Sequence, residues 1–177
     1  NKFPDTDPIL GPEMVTVFYV SGLLGKSLGL IIGPLSGLLL SYFARMENIS
    51  YKQYNSLLLI TLAISIVSYL MVIYLDEYIL MFLYPQYAIS SLEYTPIITM
   101  GVLLIMSAGV MNTVLMRFVD LKWQININLI FIGTYVIFSL ILIKTHGLLG
   151  FAWATVLAGL VKLSLVYIVW HYKGKYA

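Results

Sequence analysis

Cysteine is absent from the sequence, which excludes disulfides, thiolate metal sites and cysteine nucleophiles. Charge is scarce: 10% of the 177 residues are Asp, Glu, Lys or Arg, against about 25% in an ordinary soluble domain. So few charges cannot cover a water-facing surface, so most of the outer surface must meet lipid. The net charge of +2 is too small to imply nucleic-acid binding. The chain opens at Asn1 with no start methionine, signal peptide or basic leader, and is expected to be a piece of a longer protein.

Catalytic patterns are missing too. His146 and His171 stand far apart in sequence with no metal-ligand pattern around them, and no serine, histidine and acid set suggests hydrolysis. Gly25-Lys26-Ser27 resembles the end of a phosphate-binding loop, but that pattern needs glycine where Val20 stands. Asn48-Ile49-Ser50 forms a glycosylation triplet on the side expected to be cytoplasmic. Neither an enzyme nor a cofactor is expected.

What is present is apolar length: 60% of the residues are hydrophobic. About 20 apolar residues are needed to cross a ~30 Å hydrocarbon core. Five stretches qualify, giving an all-α integral membrane protein of about five transmembrane helices at 14–43, 56–75, 96–119, 124–143 and 148–170. Pro34 is the expected bend in the first. Thr95 is the expected N-cap of the third, with Pro96 at its first helical position. The segment 76–95 has an apolar centre too short to span and reads as an interfacial helix or a folded loop.

Basic residues in short loops set orientation. Arg45 and Lys52 (loop 44–55), Arg117 and Lys122 (around loop 120–123), and Lys173 and Lys175 (tail 171–177) fall on one side. The other side, with segment 1–13 and turn 144–147, has Lys2 and Lys144 against Asp5, Asp7, Glu13, Asp76, Glu77 and Glu93. The reading is a cytoplasmic (inner) membrane protein with Asn1 outside and Ala177 inside. Tyr42, Tyr54, Trp123, Tyr167, Trp170 and Tyr172 stand near expected helix ends, where amphipathic rings favour the interface.

Ser21, Gly25, Gly29, Gly33, Gly37 and Ser41 recur every four residues, a run of small side chains that permits close helix packing in lipid. It is either a static interface or one that also slides during transport. Lys26 lies about 18 Å inside the first helix, and Lys162 about 21 Å inside the last, after Gly150, Ala154 and Ala158 at the same spacing. No carboxylate falls within the five expected spans. Each lysine therefore either faces a cavity and an anion or snorkels to the headgroups. Asn112 either bonds a ligand or a neighbouring helix, and Arg117 either sets topology or lines an inner vestibule. Lys26, Lys162, Asn112 and Arg117 are the candidate substrate-binding residues.

Three stretches carry a resemblance: Gly11 to Ser21 before the long helix through Gly33-Pro34-Leu35-Ser36; Ile79 to Ala88; and Gly147-Leu148-Leu149-Gly150-Phe151-Ala152-Trp153-Ala154-Thr155 opening the last helix. In this order the chain resembles the polysaccharide-export branch of the multidrug/oligosaccharidyl-lipid/polysaccharide flippase superfamily, departing from it at Pro85, Phe151 and Asp120-Leu121-Lys122. The resemblance implies most of the C-terminal lobe of a two-lobed, twelve-to-fourteen-helix transporter. Its partners would be membrane lipid, the N-terminal lobe and an undecaprenyl-pyrophosphate-linked oligosaccharide moved by alternating access for cell-surface polysaccharide synthesis. The pyrophosphate would be the anion for Lys26 and Lys162, a role that rests on their charge and depth. A cation-coupled multidrug exporter of the same superfamily and a non-transporting membrane scaffold are the alternatives.

The cysteine-free chain is a ready background for testing orientation. A single cysteine at Lys144→Cys should react with an impermeant maleimide on intact cells. Lys52→Cys and Lys122→Cys should react only after permeabilisation; the inverse pattern would reverse the assigned sides.

Overall fold

The computed structural model describes residues 12–174, apart from the side-chain surroundings of residues 12, 30–33 and 35. Expectations placed on Asn1, Lys2, Asp5, Asp7, Gly11, Lys175 and Ala177, and on the packing role of Gly33, lie outside the described residues. All the described elements are helices: α1 (Pro12–Ser21), α2 (Leu23–Phe43), α3 (Tyr51–Leu83), α4 (Ala88–Leu92), α5 (Thr95–Phe118) and α6 (Leu121–Lys173).

Gly22 alone separates α1 from α2. Its N–H is shared between the carbonyls of Phe18 and Tyr19, both at 3.2 Å, while its own carbonyl accepts from Lys26 N at 2.9 Å. The interruption of the expected 14–43 helix thus falls at Gly22, and Pro34 lies inside α2. The absence of a side chain matters at Gly22: an added Cβ would meet Ile98 Cγ2 and Lys26 Cε, each at 3.3 Å.

A reciprocal cap starts α3. Gln53 N donates to Ser50 Oγ at 3.3 Å, and Ser50 N donates to Gln53 Oε1 at 2.9 Å. At 33 residues, or about 50 Å, α3 outruns the expected 56–75 span and takes in residues 76–83 of the segment expected to be interfacial. Its buried residues Val72, Asp76 and Leu80 form a row at spacing four, and Leu80 packs with Val20 of α1 and Ala88 of α4. That contact holds helical a stretch too short to span alone. Asp76 and Glu77 consequently sit within an apolar helix, where the hydropathy boundary had left them outside. At the start of α5 the cap position is Tyr94, and Thr95 donates its hydroxyl back to the Ser91 carbonyl at 3.0 Å.

The 53 residues of α6 are two antiparallel arms, 121–146 and 148–173, folded at Gly147, whose φ of 58° and ψ of −135° are non-helical. Contacts across the fold establish the hairpin. Gly150 lies directly on the Leu142 carbonyl, Tyr135 meets Phe151 at 5.9 Å between centroids, and Lys173 Nζ lies 5.3 Å from the Trp123 ring. On a straight helix Trp123 and Lys173 would be about 75 Å apart.

Among the described residues three helices, α3, α5 and α6, are long and apolar enough to cross a membrane. Of the most apolar stretch of α5, 61% is buried, against 6% for α3 and 11% for α6. α5 is therefore the centre, and the others turn apolar faces outward, as lipid allows and water does not. These features together make the chain a membrane-embedded helical protein. Phe43, Tyr54, Met111, Leu115, Ile127 and Trp170 form a core at one end; Val20, Leu80 and Ala88 form a smaller one at the other. Tyr54 and Trp170, expected at the membrane interface, instead stack at 4.2 Å and 14° inside the larger core. Tyr42 and Tyr172 are exposed.

Close backbone approach joins α5 to the second arm. A Cβ on Gly101 would lie 2.9 Å from the backbone of Thr155 and Val156, and one on Gly159 would lie 2.9 Å from Leu104 Cβ. Gly101→Val should therefore destabilise the chain in detergent by about 1–3 kcal/mol, because backbone cannot yield cheaply. Gly147→Ala should cost about 1–3 kcal/mol through its backbone angles alone. Gly37→Val, with nothing within 4 Å, should leave the transition unchanged. Denaturant titration followed by circular dichroism compares the three.

Candidate functional site

The run of small residues meets α5 along only part of its length. Ser21 is fully buried, and its hydroxyl donates to Val17 O at 2.7 Å and to Ser91 O at 3.0 Å. A Cβ on Gly25 would sit 3.4 Å from Thr99 Cα, and one on Gly29 would sit 2.7 Å from Met106 Cε. Gly37 and Ser41 are exposed, and among the described residues the Ser41 hydroxyl bonds the Gly37 carbonyl of its own helix, at 3.1 Å. The reason is rotational. Residues four apart are about 40° apart on a 3.6-residue helix, so within α2 Gly37 has turned about 120° from Gly25. The expected continuous groove is a short seam that spirals off its neighbour.

Lys26 is exposed beside that seam. Its stem lies back over Gly22, and Nζ is 5.1 Å from the centre of the Tyr19 ring. Helical side chains lean towards their N-terminus. The ammonium therefore rests four to seven residues, roughly 6–10 Å, nearer the start of the helix than its own Cα. This is the snorkelling arrangement, and it makes the cation far shallower than sequence depth implied.

Lys162 is different. It is partly buried inside the α6 hairpin, with Nζ 4.6 Å from the centre of the Phe131 ring on the opposite arm. Phe131 stacks with Tyr135, Tyr135 meets Phe151, and Phe151 packs edge-on against Phe18 of α1 at 4.8 Å. An aromatic file thus runs from the end of α1 to one ammonium. A cation–π contact contributes about 0.5–2 kcal/mol, while a lysine in a span costs about 2.5–3.5 kcal/mol. The ring offsets part of that cost and leaves the cation with capacity for an anion. No described contact brings Lys26 and Lys162 together.

Asn112 is buried in α5, and its Oδ1 has no hydrogen-bond partner among the described residues. Arg117 is exposed in the last turn of α5, its guanidinium 6.0 Å from the neighbouring Phe118 ring, where a cation complements the helix C-terminus. The four candidates are therefore dispersed over the bundle.

Sequence reasoning missed a groove along α3, walled by the second arm of α6 at one end and by α5 at the other. A cavity of about 620 Å³ is bounded by Asn55, Leu59, Leu62, Ser164 and Tyr167, among others. It shares Leu62 with a second of about 270 Å³ lined by Ser65, Ile66, Tyr69, Leu103 and Ser107. Ser65 and Ser107 bridge α3 and α5 by a 2.8 Å hydroxyl pair, and Tyr51 of α3 and Tyr167 of α6 join at 2.9 Å between phenol oxygens. The serines at spacing 42 carried no periodic signal that could have paired them. Among the described residues no group of three His, Asp or Glu is placed to hold a metal ion. No family model matches the chain, and neither does any curated protein or solved structure.

Proposed function

We propose that the chain is most of one lobe of an alternating-access transporter in the cytoplasmic membrane, carrying an anionic lipid-pyrophosphate-linked oligosaccharide between leaflets. The observation that carries this reading is Lys162, a half-buried ammonium inside a membrane hairpin whose described contact is an aromatic face rather than a carboxylate. A pyrophosphate is an anion of the kind such a site would accept, and a low-dielectric setting strengthens the attraction. The order of motifs seen in the sequence supports the same reading. The other lobe completes the cavity, and substrate contact falls first on Lys162, with Lys26 at its edge.

Asp76 favours a second reading. It is 6% exposed within α3 and supplies the buried carboxylate that a cation-coupled multidrug exporter uses, which the sequence had seemed to lack.

The test is leaflet transfer by the full transporter in vesicles with a lipid-pyrophosphate oligosaccharide. Lys162→Ala should slow transfer about 10–100-fold, the range for losing one charge-assisted contact, while Lys162→Arg retains part and Lys26→Ala changes it little. Normal transfer by folded Lys162→Ala would remove the main residue from this reading. Ion-gradient-driven drug efflux abolished by Asp76→Asn would establish the second reading instead.

A further inference from the structure

We propose that the groove along α3, walled by the second arm of α6 at one end and by α5 at the other, binds one anionic phospholipid, its phosphate at the Lys52 end and one acyl chain along the groove. The site is independent of the transported cargo.

The groove has a gradient of chemistry along its length. One end carries Asn55, Ser164 and Tyr167, whose phenol bonds that of Tyr51, and helix spacing sets Lys52 on the α3 face of Asn55, Leu59 and Leu62. The other is hydrocarbon in character, with Leu62, Ile66, Leu103 and Leu104 as its main surface. A single amphipathic molecule with a polar head and an apolar tail matches that order; a peptide helix, with polar groups along its whole backbone, does not. The Tyr51–Tyr167 bond bars the tail from running on past the polar end, so the headgroup must sit there. Lys52 is exposed on the same turn as Tyr51 and supplies the positive charge that selects an anionic head. Asn55 lines the cavity, and its Oδ1 has no hydrogen-bond partner among the described residues. Its amide can present either end, so it can donate to a phosphate or ester oxygen.

The size agrees. From Asn55 to Tyr69 is fourteen residues of helix, roughly 21 Å, while one leaflet contributes half of a ~30 Å hydrocarbon core. A whole acyl chain therefore fits the groove lengthwise. The mouth opens outward through Leu59 and Ile66, 67% and 61% exposed, on a helix whose apolar stretch is almost wholly unburied.

Native mass spectrometry of the full chain, released from nanodiscs of mixed phosphatidylglycerol and phosphatidylcholine, reads the outcome directly. Wild type should retain one phosphatidylglycerol in preference to phosphatidylcholine. Leu62→Trp and Ser164→Trp should lose it, and Leu70→Trp, equally exposed on α3 but outside the groove, should keep it. Lys52→Ala should lower the headgroup preference about fivefold, the factor for one basic residue near an anionic surface. Circular dichroism confirms folding of each variant, and Ser164→Trp, at an exposed position, serves if Leu62→Trp misfolds. Retention of no lipid by wild type, equal retention by the groove variants and Leu70→Trp, or a preference unchanged in Lys52→Ala would each overturn the assignment.

Discussion

Helices in lipid gain little from hiding apolar surface from one another, so what holds this bundle is how closely backbones can approach α5. Gly101 and Gly159 bring α5 and the second arm of α6 nearly to backbone contact, and Gly25 lets Thr99 rest on α2. Dispersion acts only over such short distances, which is why a missing methyl group here stabilises more than an added one. α3 and the hairpin meet mainly through α5, and the groove between them is the direct result. Two cores, one around Tyr54 and Trp170 and one around Leu80, close the ends while the middle stays open.

Polar groups obey the same constraint. Ser27, Ser41, Ser107, Thr113 and Thr155 each return a hydroxyl to the carbonyl four residues back, so the helix satisfies them without help from water. Ser21 and Ser91 go further and tie α1 to α4. The Tyr54 hydroxyl, Thr99 Oγ1 and Asn112 Oδ1 have no partner among the described residues. In a membrane protein these are the positions where local polarity exceeds what the fold itself uses.

Apolar length and scarce charge made the helical membrane character legible, because both follow from how hydrocarbon treats polar groups. The hairpin was legible for a similar reason: residues 144–147 interrupt a long apolar run, though only the structure shows that the fold falls at Gly147. Packing was harder to read. A four-residue repeat looks like a face on paper, yet the 3.6-residue helix rotates it away, so the run beginning at Ser21 had already left α5 by Gly37. Depth misled for Lys26, whose side chain climbs back over Gly22. Trp170 was misplaced because an aromatic ring near a helix end suits an interface and a core equally, and only tertiary packing decides. The same holds for Ile79 to Leu83, too short to span but held in α3 by Leu80. The groove was invisible because its walls come from segments about a hundred residues apart.

The hairpin also bears on how the chain enters the bilayer. Its two arms meet each other along their length, with Tyr135 against Phe151, Phe131 under Lys162 and Trp123 under Lys173. Those contacts need no other element, and only a few residues around Lys144 and His146 have to traverse the hydrocarbon with the turn. The pair can therefore leave the translocation machinery as one preassembled unit. It would present Gly159 to an α5 that is already in place, so the two arms join this bundle as a finished piece.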